Sequence, residues 1–220
     1  FIWVGRVVGD PQSRAIFVVK GESFFGDLSA GGKNYRIQSW VNQESSIHVT
    51  QLNTSPSPQP KDTVSSPLKD RAAVTTTSSD NFVDLIIGYT TEAAANAGIE
   101  SSLEALVVAT NQMLADSCVN FRFRLLSVIA TGVSTGTDDA YAILSALENT
   151  GGAYSALHTA RNTQGADLVH LFVDTTSIGL CGLANLGGFG GNFDDTQAFG
   201  LTLFGCPTFV LGHELGHNMS

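Results

Sequence analysis

His213, Glu214 and His217 are the residues whose types and spacing could do chemistry. On a helix, side chains four apart lie one turn apart on the same face, so the two imidazoles can grip one metal ion while Glu214 stands beside it. An H-E-x-x-H run arises by chance in only roughly 0.4 per cent of chains with this histidine and glutamate content, so the pattern is specific. The chemistry it implies is hydrolysis assisted by Zn2+: His213 and His217 as metal ligands, a zinc-activated water, and Glu214 as the general base.

Such a motif needs a buried helix to present it. Thr208, Phe209, Val210, Leu211 and Gly212 form an apolar lead-in, and Pro207 suits a helix start, where no intrahelical N–H is required. Upstream, hydrophobic periodicity predicts strands over 82–89 and 121–130, a helix over 101–117, helix in one or two pieces around Gly151-Gly152 over 138–161, and a strand over 166–174. Alternating strand and helix implies a largely parallel sheet covered by helices, an α/β body over 81–220. Residues 1–52 read instead as short strands, over 1–8, 15–20, 23–28, 35–40 and 46–52, separated by turn residues. That is a small antiparallel β domain. Between the two, residues 53–80 hold four of the six prolines among many Ser and Thr, a composition that predicts an unstructured linker. Within it, Asn53-Thr54-Ser55 matches a glycosylation sequon and Lys69-Asp70-Arg71 a processing site.

Charge separates the same regions. Residues 1–80 carry 8 Lys/Arg against 7 Asp/Glu, whereas residues 81–220 carry Arg122, Arg124 and Arg161 against 13 acids. An acidic body without a lysine excludes the clustered cations that bind a phosphate backbone, so nucleic acid is not an expected partner. The chain contains no apolar run of about 18 residues, so no membrane span is expected. It starts at Phe1 and stops at Ser220, inside the motif helix, and is expected to be a fragment. Cys181 and Cys206 flank the approach to the metal helix and are expected to form a disulfide; Cys118 is left over and reads as a small buried apolar side chain.

Several phrases together resemble one family. NFVDLIIGYT, GADLVHLFVD, CGLANL and CPTFVLGHELGHNMS make residues 81–220 similar to the reprolysin-like, or adamalysin-type, metzincin zinc peptidases. WVGRVVGD and NYRIQ more loosely resemble the propeptides that precede bacterial members. The resemblance implies an α+β zincin: a metzincin upper subdomain with a mixed, mostly parallel five-stranded sheet and a zinc helix, preceded by a small antiparallel β propeptide-like domain. It implies a secreted, extracellular zymogen acting on protein or peptide substrates. It makes Cys181 and the residues after it, Gly182, Leu183 and Ala184, the start of an edge strand against which an extended substrate pairs. The family motif continues HExxHxxGxxH, but Ser220 stands at its glycine, and the third histidine would fall three residues past Ser220. Residues 1–220 alone are therefore expected to bind zinc weakly and cleave little.

Other residues are weaker candidates. Residues 1–80 contain no cysteine, so latency would be steric or use another ligand, with His48 one candidate. His158 and His170 read as structural or surface residues, and Asp194-Asp195 as a solvated loop rather than a calcium site. The glycines over 187–192 follow no nucleotide-binding spacing and read as a loop beside the cleft. Asn218-Met219-Ser220 is formally a sequon inside the metal helix. Two other readings stand beside the metzincin one: a zincin whose third ligand is a downstream glutamate, and a secreted binding or adhesion module with a relict zinc site.

Overall fold

Alternation of apolar and polar side chains builds the first unit. Strands β1 (Ile2–Gly5), β2 (Arg14–Lys20), β3 (Ser23–Ala30), β4 (Lys33–Ser39) and β5 (Ile47–Leu52) form an antiparallel meander in chain order. The computed structural model describes residues 1–20, 23–39, 47–52, 61–62, 81–175, 178–187 and 195–219. On β2, Ile16 and Val18 are buried while Phe17 and Val19 face the other way, the period of two that a sheet with one covered face requires.

The second unit is a sheet in the order β6-β10-β11-β9-β7-β8. Its strands are β6 (Lys61–Asp62), β7 (Phe82–Tyr89), β8 (Arg122–Ala130), β9 (Leu168–Val173), β10 (Gly182–Ala184) and β11 (Phe199–Leu203). Strands β8, β7, β9 and β11 run parallel, and β10 returns antiparallel to β11. Apart from β6, this is the mixed, mostly parallel five-stranded sheet expected. The helices are α1 (Thr91–Ala94), α2 (Ile99–Asp116), α3 (Ala140–Glu148), α4 (Ser155–Gln164) and α5 (Phe209–Asn218). The predicted 138–161 helix divides into α3 and α4 around Gly151-Gly152. Both sheet faces are covered: Val169, Leu171 and Leu201 pack with Ile143, Leu147 and Leu157 of α3 and α4, whereas Leu85, Ile87 and Phe172 pack with Leu103, Leu211 and Leu215 of α2 and α5. No helix of the described residues is long and apolar enough to cross a membrane.

The two units touch. Ile16, Val18 and Phe25 of the N-terminal sheet pack on Ala105, Ala109 and Val108 of α2, and Lys20 reaches Glu104 at 2.7 Å and Glu100 at 3.3 Å. The buried hydroxyl of Thr208, just before α5, donates to Asp27 Oδ2 at 2.9 Å. Arg36 lies beside Asp27 with its guanidinium 5.5 Å from the Phe25 ring and 5.6 Å from the Phe204 ring. Burial lowers its pKa, and the Asp27 carboxylate opposes that shift.

Two expectations are corrected. Composition predicts no order over 53–80, yet Lys61–Asp62 forms a short strand parallel to β10; the glycosylation and processing motifs of that region lie outside the described residues. Cys118 is exposed rather than buried. It follows the last turn of α2 with φ +58°, where its N–H caps Ala115 O at 3.1 Å, so helix termination and not apolar packing places it.

Candidate metal centre

Helix α5 carries the motif because its residues divide cleanly between two faces. Val210, Leu211 and Leu215 are buried, whereas Phe209, His213 and Gly216 are exposed and His217 is half-buried. Gly212 lies against α2, where an added Cβ would stand 3.2 Å from Thr110 Cγ2 and 3.3 Å from Met113 Cε. The expectation of a wholly buried motif is thus refined: the carboxylate of Glu214 turns inward and is fully covered, while the imidazoles stay on the outer face.

The two imidazoles converge. Their Nε2 atoms lie 2.9 Å apart, with ring centroids at 4.5 Å and ring planes at 88°. A tetrahedral ion with Zn–N bonds of about 2.0–2.1 Å holds two nitrogens roughly 3.3 Å apart, so a few tenths of an ångström of ring movement fits the pair to zinc. Among the described residues no cluster of three His, Cys, Asp or Glu side chains is placed to hold a metal. The pair offers two nitrogen donors, where a catalytic zinc generally takes three ligands from protein.

Glu214 lies against the backbone of β10. A Cβ built on Gly182 would stand 2.4 Å from Glu214 Oε1 and 2.6 Å from its Cδ. Only a residue without a side chain leaves that carboxylate its place. Gly182, Leu183 and Ala184, the expected substrate edge, pair antiparallel with Thr202, Leu201 and Gly200. Their outer side is not open in this chain: Leu183 and Ala184 register with Lys61 and Asp62 of β6. Cys181 bonds to Cys206 with an S–S distance of 2.04 Å, tying the start of β10 to the approach to α5 as the spacing led us to expect. A bridge of this span stabilises by about 3 kcal/mol in the chain-entropy model.

The remaining candidates stand apart from the centre. His48 is exposed on β5, the last strand of the meander. His158 Nε2 lies 2.7 Å from Leu147 O, and His170 Nε2 lies 2.8 Å from Thr202 Oγ1. His170 is fully buried, and burial holds its ring neutral by pushing the pKa down to about 3. Both are structural. Asp194 and most of the glycine-rich stretch, 188–194, lie outside the described residues. Asn218 is fully buried, which closes it as a glycan acceptor. Sequence reasoning missed its role and that of Asp27. A polar residue where the helix pattern calls for an apolar one is the signal that marks Asn218.

The sheet order and the covering helices give the fold, and the convergent histidines mark a candidate metal centre. Residues 100–220 match the model of the M12B reprolysin-like metallopeptidases, and the chain belongs to that family. It is 29% identical over 223 residues to a peptidyl-Asp metalloendopeptidase of Stenotrophomonas maltophilia strain R551-3, covering 96% of this chain and 52% of that protein. A second protein of that name from strain K279a is 27% identical over 226 residues, again covering 96% of this chain and 52% of the relative. The chain thus spans about half the length of these curated relatives. Metalloproteinase-II from Bacteroides fragilis shares the fold with a TM-score of 0.62 at 13% identity, over 100% of this chain and 71% of that one.

Proposed function

We propose that the protein is a zinc-dependent endopeptidase in which His213 and His217 hold the metal and Glu214 is the general base. The convergence of two Nε2 atoms on the helix that also carries Glu214, whose carboxylate is held against a strand, carries this reading. Zinc, when bound, supplies Lewis acidity toward a peptide carbonyl and makes water acidic near neutral pH. Glu214 takes the proton of the attacking water and hands it to the leaving amine nitrogen, while β10 orients the peptide through backbone atoms.

The relatives' name specifies an aspartyl preference. In this body Arg122 and Arg161 donate to backbone carbonyls and Arg124 pairs with Asp84 at 2.6 Å. The site supports peptide-bond hydrolysis, with no side-chain preference assigned. We propose further that residues 1–80 keep the enzyme latent, because β6 takes the side of β10 on which a peptide strand would add. The disulfide supports secretion into an oxidising compartment.

The test uses the full-length protein and an internally quenched peptide. Cleavage should be abolished by a chelator and restored by zinc, and Glu214→Gln should keep stoichiometric zinc while losing at least 100-fold in kcat, the scale of general-base catalysis. Unaltered turnover in Glu214→Gln would remove the base from the mechanism. Absence of chelator-sensitive cleavage would leave the relict-site reading standing instead.

A further inference from the structure

We infer that Asn218 is a positioning residue for His217, acting through the backbone that the two residues share in the zinc helix; this rests on the zinc reading above. Asn218 follows the second ligand directly, and its side chain points away from the metal centre into the protein. Its Nδ2 lies 2.9 Å from Asn185 O, 3.0 Å from Gln197 O and 3.0 Å from Phe199 O. An amide nitrogen carries two protons, so the three carbonyls share them, one bond being bifurcated. Those carbonyls belong to the exit of β10, the short turn Asp195–Gln197 and the start of β11.

A second contact reinforces the first. The Gly187 N–H donates to His217 O at 3.0 Å, and the approach is so close that a Cβ on Gly187 would stand 1.6 Å from Asn218 O. The Asn185 side chain in turn donates to Glu148 at the end of α3. The last turn of α5 is thus fastened to two strands and, through one of them, to a helix on the opposite sheet face.

The consequence falls on one ligand. His217 directly precedes the fastened Asn218 and has its own carbonyl bonded by Gly187 N–H, whereas His213 lies a full turn earlier in α5. Asparagine is a mediocre helix former because its side chain competes for backbone groups. Here it bonds carbonyls outside the helix, turning that weakness into a fastening. Asn218 touches neither metal nor substrate; it fixes where the His217 imidazole points.

The experiment measures zinc affinity of the full-length protein by competition with a chelator, alongside the thermal midpoint of the metal-free form. Outer contacts that orient metal ligands change affinity by about 10- to 100-fold, so Asn218→Ala should weaken zinc binding by that factor. Asn218→Asp, equal in size but presenting acceptors to three acceptors, should be at least as weak. Asn218→Ser, which keeps one donor, should fall between. Leu157→Ala, buried on the other face of the sheet, is the control: it should lower the midpoint while zinc affinity stays within twofold. The inference is overturned if a folded Asn218 variant binds zinc within twofold of the parent, or if Leu157→Ala loses as much affinity at the same midpoint. Should Asn218→Ala not fold, Asn218→Ser carries the comparison. A parent that binds no zinc overturns the zinc reading itself, a different result from a parent that binds while its variants match it.

Discussion

Adding one methyl group at Gly182 should disable the general base without touching a metal ligand. The new Cβ would meet Glu214 Oε1 at 2.4 Å, whereas ordinary contact begins at 3.4 Å, so the carboxylate or the strand must give by about 1 Å. The strand is the stiffer of the two: β10 pairs with β11, and the Cys181–Cys206 bridge anchors its start. The φ of Gly182 lies outside the left-handed region, so alanine brings no backbone strain and its whole effect is steric. A misplacement of about 1 Å costs on the order of 100-fold in rate, about 2.7 kcal/mol of barrier, and overpacking costs about 1–3 kcal/mol of stability. In activated full-length enzyme, Gly182→Ala should lower kcat about 100-fold with KM within threefold and with zinc stoichiometry unchanged. The assay pairs initial rates on a quenched peptide with elemental zinc analysis and a thermal melt. A kcat within fivefold of the parent would refute the claim that Gly182 exists to seat this carboxylate.

Other perturbations probe the rest of the structure. Because the folded pKa of His170 is near 3 and the unfolded one near 6.5, the unfolded chain takes up the proton first, so stability present above pH 6.5 falls as pH drops toward 3. The loss from this group should reach about 2 kcal/mol at pH 5, read from urea unfolding at pH 7, 6 and 5, and His170→Gln should flatten the slope. Cys118→Gly should stabilise by about 1 kcal/mol, since glycine adopts the φ of +58° without the penalty cysteine bears; denaturant midpoints decide it. Replacing both Cys181 and Cys206 by serine should cost about 3 kcal/mol of stability by the same measurement. Asp27→Ala removes a buried bond to a charged acceptor worth about 1.5–3 kcal/mol; after a cut within residues 63–80, the N-terminal sheet should leave the body at least tenfold more readily on gel filtration.

Much of this fold is legible in the sequence because period and punctuation agree. Ile16 and Val18 alternate with Phe17 and Val19, and turn residues bracket each strand, so the meander emerges with boundaries shifted by at most three residues. In the body, Leu103, Leu106, Val107 and Leu114 mark α2, and Gly151-Gly152 marks the break between α3 and α4. The metal ligands are legible because their spacing is local: four residues make one turn whatever the rest of the chain does. What escaped is long-range. A two-residue strand such as β6 has no periodicity, and its pairing with β10, some 120 residues on, depends on both units being folded. The Thr208–Asp27 bond spans 181 residues. In one dimension Asn218 is part of a formal sequon, since nothing local reveals three carbonyls converging on it. Residue type alone buries Cys118, whereas the chain reversal after α2 decides its exposure.

The junction between the meander and α2 is lopsided in what each side contributes. The helix offers Ala105, Ala109 and Val108, while the larger groups, Ile16, Val18 and Phe25, belong to the N-terminal sheet. If that sheet is shed on maturation, the sticky half of the contact departs with it. The working enzyme would keep a helix face carrying Ala105, Ala109 and Val108, a smaller apolar surface than the one that leaves with the sheet.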